Sequence, residues 1–305
     1  MAGWVVGWND NCLFFQKWEL RDCTFVYSQG LPAGRHQMAT AIITGASSGI
    51  GRGIARVFAS AGYKLVLCGR NEMELQETIR QCNFAEPKDN CVGTFVGDIA
   101  AKDACQRIAD TAVTKFKRID VLVNNAGMLI PGSPPDGLKI EDLKTMLHVN
   151  LLSAVDLSLK CLRHLMTTSG CIVNVSSICG IKPLHDWMFY SLTKAAMDMF
   201  TKMMALEMAP HGVRVNSINP GIIPTQVHSR RSDVSNDDID KYYKTCVSQI
   251  PMGKVGTVDD IAQMVLFLSS EKAAYITGAN CSCIPFVDKP LREPHYFTGR
   301  NGAVF

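Results

Sequence analysis

A tyrosine and a lysine four positions apart are the residues of this chain best suited to chemistry. Tyr190 and Lys194 occur in a stretch with helical periodicity, and residues at positions i and i+4 lie on the same helix face. An ammonium group close to a phenol favours the ionised form of the phenol. Ser177 lies a short way upstream and offers a second hydroxyl. The pattern predicts an acid/base site built on Tyr190.

A glycine-rich turn near residue 44 predicts a site for the phosphates of a nucleotide. It lies between an apolar run and a helical pattern. Small residues let the backbone approach a pyrophosphate, and the amide groups at the N-terminus of the next helix can bind its charge. The spacing departs from G-x-G-x-x-G, and an ordinary strand-to-helix turn that uses glycine for positive φ is the alternative. The predicted cofactor-binding residues of the turn are Thr44, Gly45, Ser47, Ser48, Gly49, Ile50 and Gly51.

Arg70, which follows the apolar run 64–68, bears on the choice of dinucleotide. Folds that bind NAD place an acidic side chain at this point, where it binds the adenosine ribose hydroxyls. A guanidinium suits a 2′-phosphate instead, so NADP is favoured over NAD. Glu72 is interpreted as a first-turn acid of a helix capped by Asn71, with Glu74 completing a capping box. The alternative for Arg70 is a solvated charge at the start of a helix.

The composition is that of a globular protein without obvious charged partners. The chain has 305 residues, 47% of them hydrophobic, and a net charge of +3 without a long basic run, so nucleic acid is not expected. Its 12 cysteines are scattered, which favours free thiols in a reducing compartment. Cys281 and Cys283 lack the partners of a zinc site, so no metal is predicted. Since no apolar run approaches the roughly 18 residues that span a bilayer, we expect a soluble, cytoplasmic protein.

Short apolar runs alternate with longer amphipathic stretches from residue 39 onward. This alternation is typical of parallel βαβ units. It predicts an α/β fold: a three-layer, doubly wound, Rossmann-like parallel sheet of about seven strands with right-handed crossovers. The predicted strands are 39–44, 64–68, 91–96, 121–123, 171–175, 213–218 and 280–285. The predicted helices are 49–61, 71–82, 101–116, 139–166, 187–211 and 258–270.

One catalytic domain, residues 38–288, is predicted between two terminal segments. Residues 1–37 show no clean period and are interpreted as a poorly ordered extension, with an organelle-targeting peptide as the alternative that their acidic residues oppose. Residues 289–305 form a tail without an assigned role. Residues 226–256 interrupt the alternation at the carboxyl edge of the sheet. Their sequence fits a substrate lid and a pair of solvated surface helices about equally well.

Seven short motifs follow one another along the chain. They are TGxxxGxG at Thr44 to Gly51, Asp98 after the third strand, NNAG at Asn124 to Gly127, Asn150 in the long helix 139–166, Ser177 after the fifth strand, YxxxK at Tyr190 to Lys194, and PGxxxT at Pro220 to Thr225. Each alone is also explained by ordinary turn or helix chemistry. As an ordered set, from about residue 39 to 280, they resemble the short-chain dehydrogenase/reductase family, in the branch with a single cofactor-binding domain.

The resemblance implies an oxidoreductase that transfers a hydride between NADP(H) and a carbonyl or secondary alcohol. It implies that Tyr190 is the general acid/base and that Ser177 holds the substrate oxygen. It also implies that Lys194 binds the nicotinamide ribose and lowers the pKa of Tyr190, and that Asn150 supports a water-linked proton path. The chemistry agrees, because hydride addition leaves a negative oxygen that needs a hydroxyl donor and a proton. The other implied cofactor-binding residues are Asp98, Asn125, Ala126, Gly127, Tyr190, Lys194, Pro220, Gly221, Ile223 and Thr225.

The substrate is expected to be a small, apolar ketone or alcohol. The residues predicted to line its pocket are Cys179, Leu184, Trp187, Met188, Ile222 and Ile223, although such side chains also form cores. A 3-oxoacyl-carrier-protein or steroid-type reductase is the alternative enzyme. A catalytically silent nucleotide-binding regulator is the alternative from another class. The two long helices, 139–166 and 187–211, correspond to helices that pair between subunits in the relatives, which implies a homodimer or homotetramer.

Two positions depart from the family pattern. NADP users of the family often carry a basic residue inside the glycine turn, where this chain has Ser48. The preference for NADP therefore depends on Arg70. The last predicted strand also lacks the usual Asp-Gly-Gly turn, and Pro285 removes a backbone donor, which suits an edge strand or an early end of the strand.

Overall fold

The computed structural model of the chain describes residues 2–9, 12–19, 39–225, 236–283 and 303–304. The chain divides into two compact units, Met1–Gly34 and Arg35–Phe305. In the first unit, strand β1 (Ala2–Asn9) pairs antiparallel with strand β2 (Cys12–Glu19). The sequence predicts neither strand, and the interpretation of this segment as a terminal extension stays a prediction.

The apolar runs of the second unit become the strands of one parallel sheet. The further strands are β3 (Thr40–Ile43), β4 (Lys64–Gly69), β5 (Val92–Val96), β6 (Val121–Asn124), β7 (Met128–Leu129), β8 (Cys171–Val175), β9 (Arg214–Pro220), β10 (Asn280–Cys283) and β11 (Ala303–Val304). Seven of them form a sheet in the order β10-β9-β8-β6-β3-β4-β5. Every residue of β3, β6 and β8 is buried, which explains why these strands read as unbroken apolar runs.

Helices cover both faces of this sheet. They are α1 (Gly49–Ser60), α2 (Glu72–Gln81), α3 (Lys88–Cys91), α4 (Ala104–Phe116), α5 (Ile140–Leu147), α6 (Ser153–Thr168), α7 (Met188–Met208), α8 (Asn236–Gln249) and α9 (Val258–Ser269). Ala41 and Ile43 of β3 join one core, with α1, α2 and α9. Ile42 between them joins a second core, with α4, α6 and α7. The predicted three-layer, doubly wound α/β fold is confirmed.

The predicted helix 139–166 is interrupted in the structure. It begins as α5, passes through a π-helical turn at His148–Leu152 and continues as α6. The apolar spacing continues through the turn, so periodicity does not reveal it. The turn contains Asn150, whose side chain bonds both backbone groups of Met128. Single π-helical turns of this kind are frequent at functional sites.

Helix α2 has one half of the predicted capping box. Asn71 Oδ1 accepts a hydrogen bond from the backbone N–H of Glu74 at 3.1 Å, as predicted. The second half is wrong, because the Glu74 carboxylate pairs with Arg52 Nη2 at 2.5 Å. A charge-assisted contact with a guanidinium is stronger than a bond to a neutral N–H group, so Glu74 turns toward α1.

Helix α8 occupies part of the predicted lid. Residues 226–235 of that segment lie outside the described residues. In the described part, Tyr242 and Cys246 are buried against Ile222 of the loop after β9. The described part of this segment therefore contains a helix with a packed face, and its role as a lid stays a prediction.

The last described strands lie at an edge of the sheet and beside the site. Strand β10 is an edge strand in the described sheet, as predicted, and it extends to Cys283. Pro285 and most of the tail lie outside the described residues. Strand β11 pairs antiparallel with β7, with Val304 opposite Met128 and Ala303 opposite Leu129.

Candidate active site

The glycine turn between β3 and α1 has no room for larger residues. Gly45 has a φ of +64° and Gly49 a φ of +51°, in the left-handed region that favours glycine. A Cβ on Gly51 would overlap the carbonyl oxygen of Gly45 and lie 2.6 Å from Asn125 Nδ2. The glycines therefore allow the turn and the start of α1 to pack directly on each other.

Hydrogen bonds hold this turn to the end of β6. Asn125 Nδ2 donates to the carbonyl oxygens of Thr44, at 2.8 Å, and Gly45, at 3.2 Å. The Thr44 hydroxyl accepts from the backbone N–H groups of Asn125 and Ala126, both at 2.9 Å. The structure thus brings these four predicted residues together, in positions where Thr44 and Asn125 fix the backbone.

The N-terminus of α1 offers amide groups to an anion. Ser48 precedes its first turn in an extended conformation and makes no side-chain cap hydrogen bond. The first turn of the helix also contains no acidic residue. Neither a cap side chain nor an acidic residue of the first turn therefore neutralises the partial positive charge at this end of the helix, which favours a bound phosphate.

Arg52 braces the glycine turn, a role that sequence reasoning missed. Its Nη2 donates to the carbonyl oxygen of Ser47 at 2.5 Å, and its Nε donates to Thr78 Oγ1 at 3.0 Å. The Thr78 hydroxyl in turn donates to the carbonyl oxygen of Ala46 at 2.9 Å. The available signal in the sequence was the basic residue directly after Gly51, because this position places a guanidinium beside the carbonyl groups of the turn.

A cleft of about 130 Å³ opens at the carboxyl ends of β3, β4, β5 and β6. Its lining comprises Gly45, Cys68, Gly69, Arg70, Phe95, Gly97, Asp98, Ile99, Ala126, Met128, Thr145 and Val149. Arg70 is exposed, and none of the ion pairs among the described residues involves it. Asp98 is also exposed, and its Oδ1 accepts from the backbone N–H of Ala100 at 2.9 Å. Predicted cofactor residues from four strand ends thus share one cleft.

Helix α7 places Tyr190 and Lys194 on one buried face, as their spacing predicts. Lys194 Nζ lies 5.5 Å from the centroid of the Tyr190 ring and donates to the carbonyl oxygen of Val175 at 2.8 Å. The side chain of Ser177 lies close enough to the Tyr190 phenol to favour its ionised form. The neighbouring Ser176 instead donates to the carbonyl oxygen of Lys194 at 3.2 Å. Two hydroxyls and an ammonium group therefore converge at the carboxyl end of β8.

Burial shifts the pKa of both groups on α7 toward their neutral forms. It raises the pKa of Tyr190 above the ordinary value, an effect that Cys179 increases and the Ser177 side chain opposes. It lowers the pKa of Lys194 to about 8, against the influence of Asp198 and Cys179. The spacing predicts a phenol that Lys194 helps to ionise, whereas in the structure burial dominates. The phenol is consequently protonated at neutral pH and able to donate a proton.

Asn150 joins the strand after the NNAG motif to helix α7. Its Oδ1 accepts from the Met128 N–H at 2.7 Å, and its Nδ2 donates to the Met128 carbonyl oxygen at 2.9 Å. The same Nδ2 donates to Thr193 Oγ1 at 3.0 Å, and that hydroxyl donates to the Tyr190 carbonyl oxygen at 2.8 Å. Sequence reasoning missed Thr193, although its position three residues after Tyr190 indicates the same side of the helix. Asn150 therefore reaches the site through backbone groups.

The PGxxxT segment lies against the glycine turn. A Cβ on Gly49 would lie 3.3 Å from the side chain of Thr225, so these two predicted residues are adjacent. Ile223 is buried in the core that includes α1, and the Gly221 N–H donates to the Cys283 carbonyl oxygen at 3.3 Å. This loop thus places Thr225 at the start of α1.

Asn219 and Asp198 form a buried polar pair behind the site that the motif search missed. Asn219 Nδ2 donates to the Ser177 carbonyl oxygen at 2.9 Å and to the two carboxylate oxygens of Asp198 at 3.1 and 2.9 Å. Both side chains are buried. The available signals were the position of Asp198 one turn after Lys194 and that of Asn219 directly before Pro220.

The predicted substrate pocket is brought together only in part. Trp187 packs edge-on against Tyr190, with ring centroids 5.9 Å apart and an angle of 89° between the rings. Cys179, Leu184 and Trp187 belong to the apolar cluster that contains Tyr190. Ile222 packs with α8, and Met188 is exposed. The side of the site next to Tyr190 is therefore apolar and partly aromatic.

Three further findings concern the wider molecule. The ten cysteines from Cys68 to Cys283 have free thiols, and eight of them are buried. Across the described residues, no group of three or more His, Cys, Asp or Glu side chains is arranged to hold a metal ion. The described helices include none with the length and apolar character needed to cross a membrane.

Comparisons with known proteins agree with this geometry. A family model described as enoyl-(acyl carrier protein) reductase matches residues 45–283. The 3-oxoacyl-[acyl-carrier-protein] reductase of Thermotoga maritima is 32% identical over 238 residues, covering 78% of this chain and 92% of that protein. L-xylulose reductase of Homo sapiens is 33% identical over 240 residues, covering 78% of this chain and 91% of that protein.

A solved structure extends the comparison to a bound cofactor. The 3-ketoacyl-(acyl-carrier-protein) reductase from Brucella melitensis, complexed with NADH, has a TM-score of 0.72 and 26% identity, covering 81% of this chain and 97% of that chain. The family model extends from Gly45 in the glycine turn through helix α7 to Cys283 at the end of β10. This chain belongs to the short-chain dehydrogenase/reductase family of oxidoreductases.

Proposed function

We propose that this protein transfers a hydride between NADP(H) and a carbonyl or secondary alcohol, with Tyr190 as the general acid/base. The observation that carries the proposal is the convergence of Ser177, Tyr190 and Lys194 at the carboxyl end of β8. Such a site, between the strand ends of an open parallel sheet, is where α/β folds bind ligands. The glycine turn and its cleft lie at the same edge of the sheet.

The residues at this edge fit a nicotinamide dinucleotide. Gly45 and Gly51 leave a backbone surface that a Cβ would fill, and the uncapped amides of α1 suit a pyrophosphate. Arg70 lines the cleft without a carboxylate partner among the described residues, so we assign it the 2′-phosphate of NADP. The other residues proposed to hold the cofactor are Thr44, Ser47, Ser48, Gly49, Ile50, Asp98, Asn125, Ala126, Gly127, Tyr190, Lys194, Pro220, Gly221, Ile223 and Thr225.

The substitution Gly51→Ala is expected to abolish cofactor binding. Its Cβ would overlap the carbonyl oxygen of Gly45, so the turn would have to move away from α1. Isothermal titration with NADPH measures the effect, and thermal unfolding reports the accompanying loss of stability. Ser60→Ala, at the exposed far end of α1, is the control and should bind like the wild type. Normal affinity in Gly51→Ala would contradict the assignment of this turn.

The side chains of the site account for the proton chemistry. The cofactor supplies or accepts the hydride when it is bound. In reduction, the hydroxyls of Ser177 and Tyr190 donate hydrogen bonds to the substrate oxygen, and Tyr190 gives its proton to the alkoxide that forms. The charge of Lys194 then stabilises the phenolate. Asn150 contributes by fixing the strand and the helix turn beside Tyr190, and any water-linked proton path would pass along these groups.

A panel of carbonyl compounds tests the function and narrows the substrate. NADPH oxidation is followed by absorbance with aldehydes, quinones, ketosteroids, ketoses and 3-ketoacyl thioesters. We expect apolar ketones to react best, because Trp187, Leu184 and Cys179 surround Tyr190. A 3-oxoacyl-carrier-protein or steroid-type reductase is the second candidate, favoured by the similarity to the Thermotoga maritima enzyme. If no member of the panel oxidises NADPH although NADPH binds, a silent nucleotide-binding regulator becomes the better description.

We further propose a homodimer or homotetramer joined through α6 and α7. Met199, Met203 and Leu206 are exposed on α7, at a spacing that puts them on one helix face. Leu159 is exposed on α6, which covers the same face of the sheet. Apolar patches of this kind mark protein interfaces, and the family resemblance implies pairing through these helices.

The substitution Met203→Lys is expected to yield a monomer. Met203 lies in the centre of the exposed apolar stripe that Met199, Met203 and Leu206 form on α7. A charge there would lose its water to the partner subunit, and this desolvation is costly without a counter-charge. Light scattering coupled to size-exclusion chromatography measures the mass. Met73→Lys is the matched control, because Met73 is 79% exposed on α2 and lies outside the stripe. A mass for Met203→Lys equal to that of an oligomeric wild type would move the interface elsewhere.

We propose the cytoplasm as the location of the protein. The free, mostly buried thiols from Cys68 to Cys283 suit a reducing compartment. Cell fractionation with antibodies to the chain tests this, and recovery from an organelle would instead support a targeting role for residues 1–37.

A further inference from the structure

A buried carboxylate, Asp198, lies behind the candidate site without a role in the proton transfer described above. It follows Lys194 by one turn of α7 and is 6% exposed. Asn219 Nδ2 donates to both of its oxygens, and Ser217 Oγ donates to Oδ1 at 3.4 Å. Burial raises the pKa of the Asp198 carboxyl, whereas these donors and Lys194 favour its ionised form. Burying a carboxylate costs free energy unless hydrogen bonds and an opposite charge compensate for it. The groups around Asp198 therefore indicate what it does in the structure.

Asp198 is tied to the loop that carries the serine of the site. Lys194 Nζ bonds the carbonyl oxygen of Val175 at 2.8 Å, at the start of that loop. The next residue, Ser176, donates to the Lys194 carbonyl oxygen at 3.2 Å, and its side chain favours the ionised form of Asp198. The start of the loop is therefore held to α7 by the side chain and the backbone of Lys194.

Ser177 and Gly180 of this loop also pack against the Asp198 carboxylate or its partner Asn219. Asn219 Nδ2 donates to both oxygens of Asp198. It also donates to the Ser177 carbonyl oxygen at 2.9 Å. At the end of the loop, a Cβ on Gly180 would lie 2.6 Å from Asp198 Oδ2, so the absence of a side chain lets the loop pack on α7. The position of Ser177 relative to α7 thus depends on contacts centred on Asp198.

The titratable groups around Lys194 also indicate that Asp198 supports the site. The titratable groups that face its ammonium are Tyr190 and Asp198 on α7 and Cys179 on the loop after β8. Asp198 is the carboxylate among them. Burial favours the neutral form of Lys194, and Asp198 opposes this effect and supports the charged form.

We propose that Asp198 is a positioning residue of the oxidoreductase site. Its carboxylate balances the buried charge of Lys194 and, through Asn219, fixes the backbone at Ser177. The inference rests on the proposed function, because it gives Asp198 the task of keeping Lys194 charged and Ser177 within reach of Tyr190.

Asp198→Asn tests the proposal, because it removes the charge and nearly keeps the shape. In the cofactor-free protein labelled with 13C at the lysine ε carbons, the Lys194 resonance is identified by its loss in Lys194→Arg. Its titration midpoint is expected to fall by about 1 pH unit or more in Asp198→Asn, which is the usual effect of an opposite charge nearby. The pH profile of kcat/KM should move in the same direction, and Asp198→Glu should restore part of both shifts. An unchanged Lys194 midpoint would overturn the proposal.

A control and a second variant keep the test decisive. Asp156→Asn removes an exposed carboxylate beside Lys160 on α6 and should leave the Lys194 midpoint unchanged.

If Asp198→Asn does not fold, the double variant Lys194→Met/Asp198→Asn is compared with Lys194→Met. Removing Lys194 alone leaves an uncompensated buried charge, so adding Asp198→Asn is expected to raise the free energy of unfolding. A further loss of stability would overturn the proposal. An inactive wild-type protein would instead overturn the proposed function, and the titration would still decide the charge balance.

Discussion

Replacing Tyr190 by phenylalanine is expected to lower kcat by about 10²- to 10⁴-fold, the usual contribution of general acid/base catalysis. The ring remains to pack against Trp187, so the affinity for NADPH should stay near the wild-type value. Turnover is measured with the best substrate of the panel, and the dissociation constant by titration of NADPH fluorescence. Tyr275→Phe, which alters a fully exposed tyrosine, is the control and should have normal turnover. Unchanged turnover in Tyr190→Phe would reject the acid/base assignment.

The pH dependence of the wild-type reaction gives a second view of the same group. Reduction needs the protonated phenol and the charged lysine. Because burial raises the pKa of Tyr190 and lowers that of Lys194 to about 8, Lys194 loses its proton first. The reduction rate should therefore be level through neutral pH and begin to fall as the pH rises through about 8. A reduction rate that increases above this pH would contradict the roles given to both groups.

The substitution Arg70→Ala is expected to weaken NADPH binding by about ten- to a hundredfold and to leave NADH binding nearly unchanged. A hydrogen bond to a charged group contributes about 1.5–3 kcal/mol, and about 1.4 kcal/mol corresponds to a factor of ten. The 2′-phosphate is the group that distinguishes the two cofactors, so only NADPH should lose this contact. Titration of the variant with each cofactor measures the difference.

A neighbouring arginine provides the control for Arg70. Arg80 on α2 is exposed and pairs with Glu77 one turn earlier. Arg80→Ala removes the same charge from the same region of the protein and should affect neither cofactor. Equal losses of NADPH and NADH affinity in Arg70→Ala would remove the argument for a phosphate site.

The sequence predicts the parts of this molecule that follow from local rules. The runs that became β3, β6 and β8 are apolar because both of their faces are covered. Gly51 is identifiable because the close approach of α1 to the turn excludes a side chain. The spacing of Tyr190 and Lys194 gives their shared helix face directly. These features need no knowledge of distant contacts.

Features that depend on tertiary contacts could not be predicted in this way. Glu74 has the spacing of a capping box, yet its carboxylate pairs with Arg52, which is 22 residues away in the sequence. Asp198 meets Asn219 only because α7 packs on β9. The direction of the Tyr190 pKa shift likewise depends on burial, which spacing does not reveal. The strands β1 and β2 lack a clean period and were not predicted.

The π-helical turn restricts which amino acid can occupy position 150. The Asn150 side chain hydrogen-bonds Met128 as the edge of a peptide group would. Its oxygen accepts from the Met128 N–H, and its nitrogen donates to the Met128 carbonyl oxygen. Aspartate has no hydrogen to donate when it is ionised, leucine of similar size has neither group, and glutamine is one methylene longer. Asparagine is thus selected by the main chain beside it, so a search for homologues with other residues at this position should find a different backbone path after the NNAG motif.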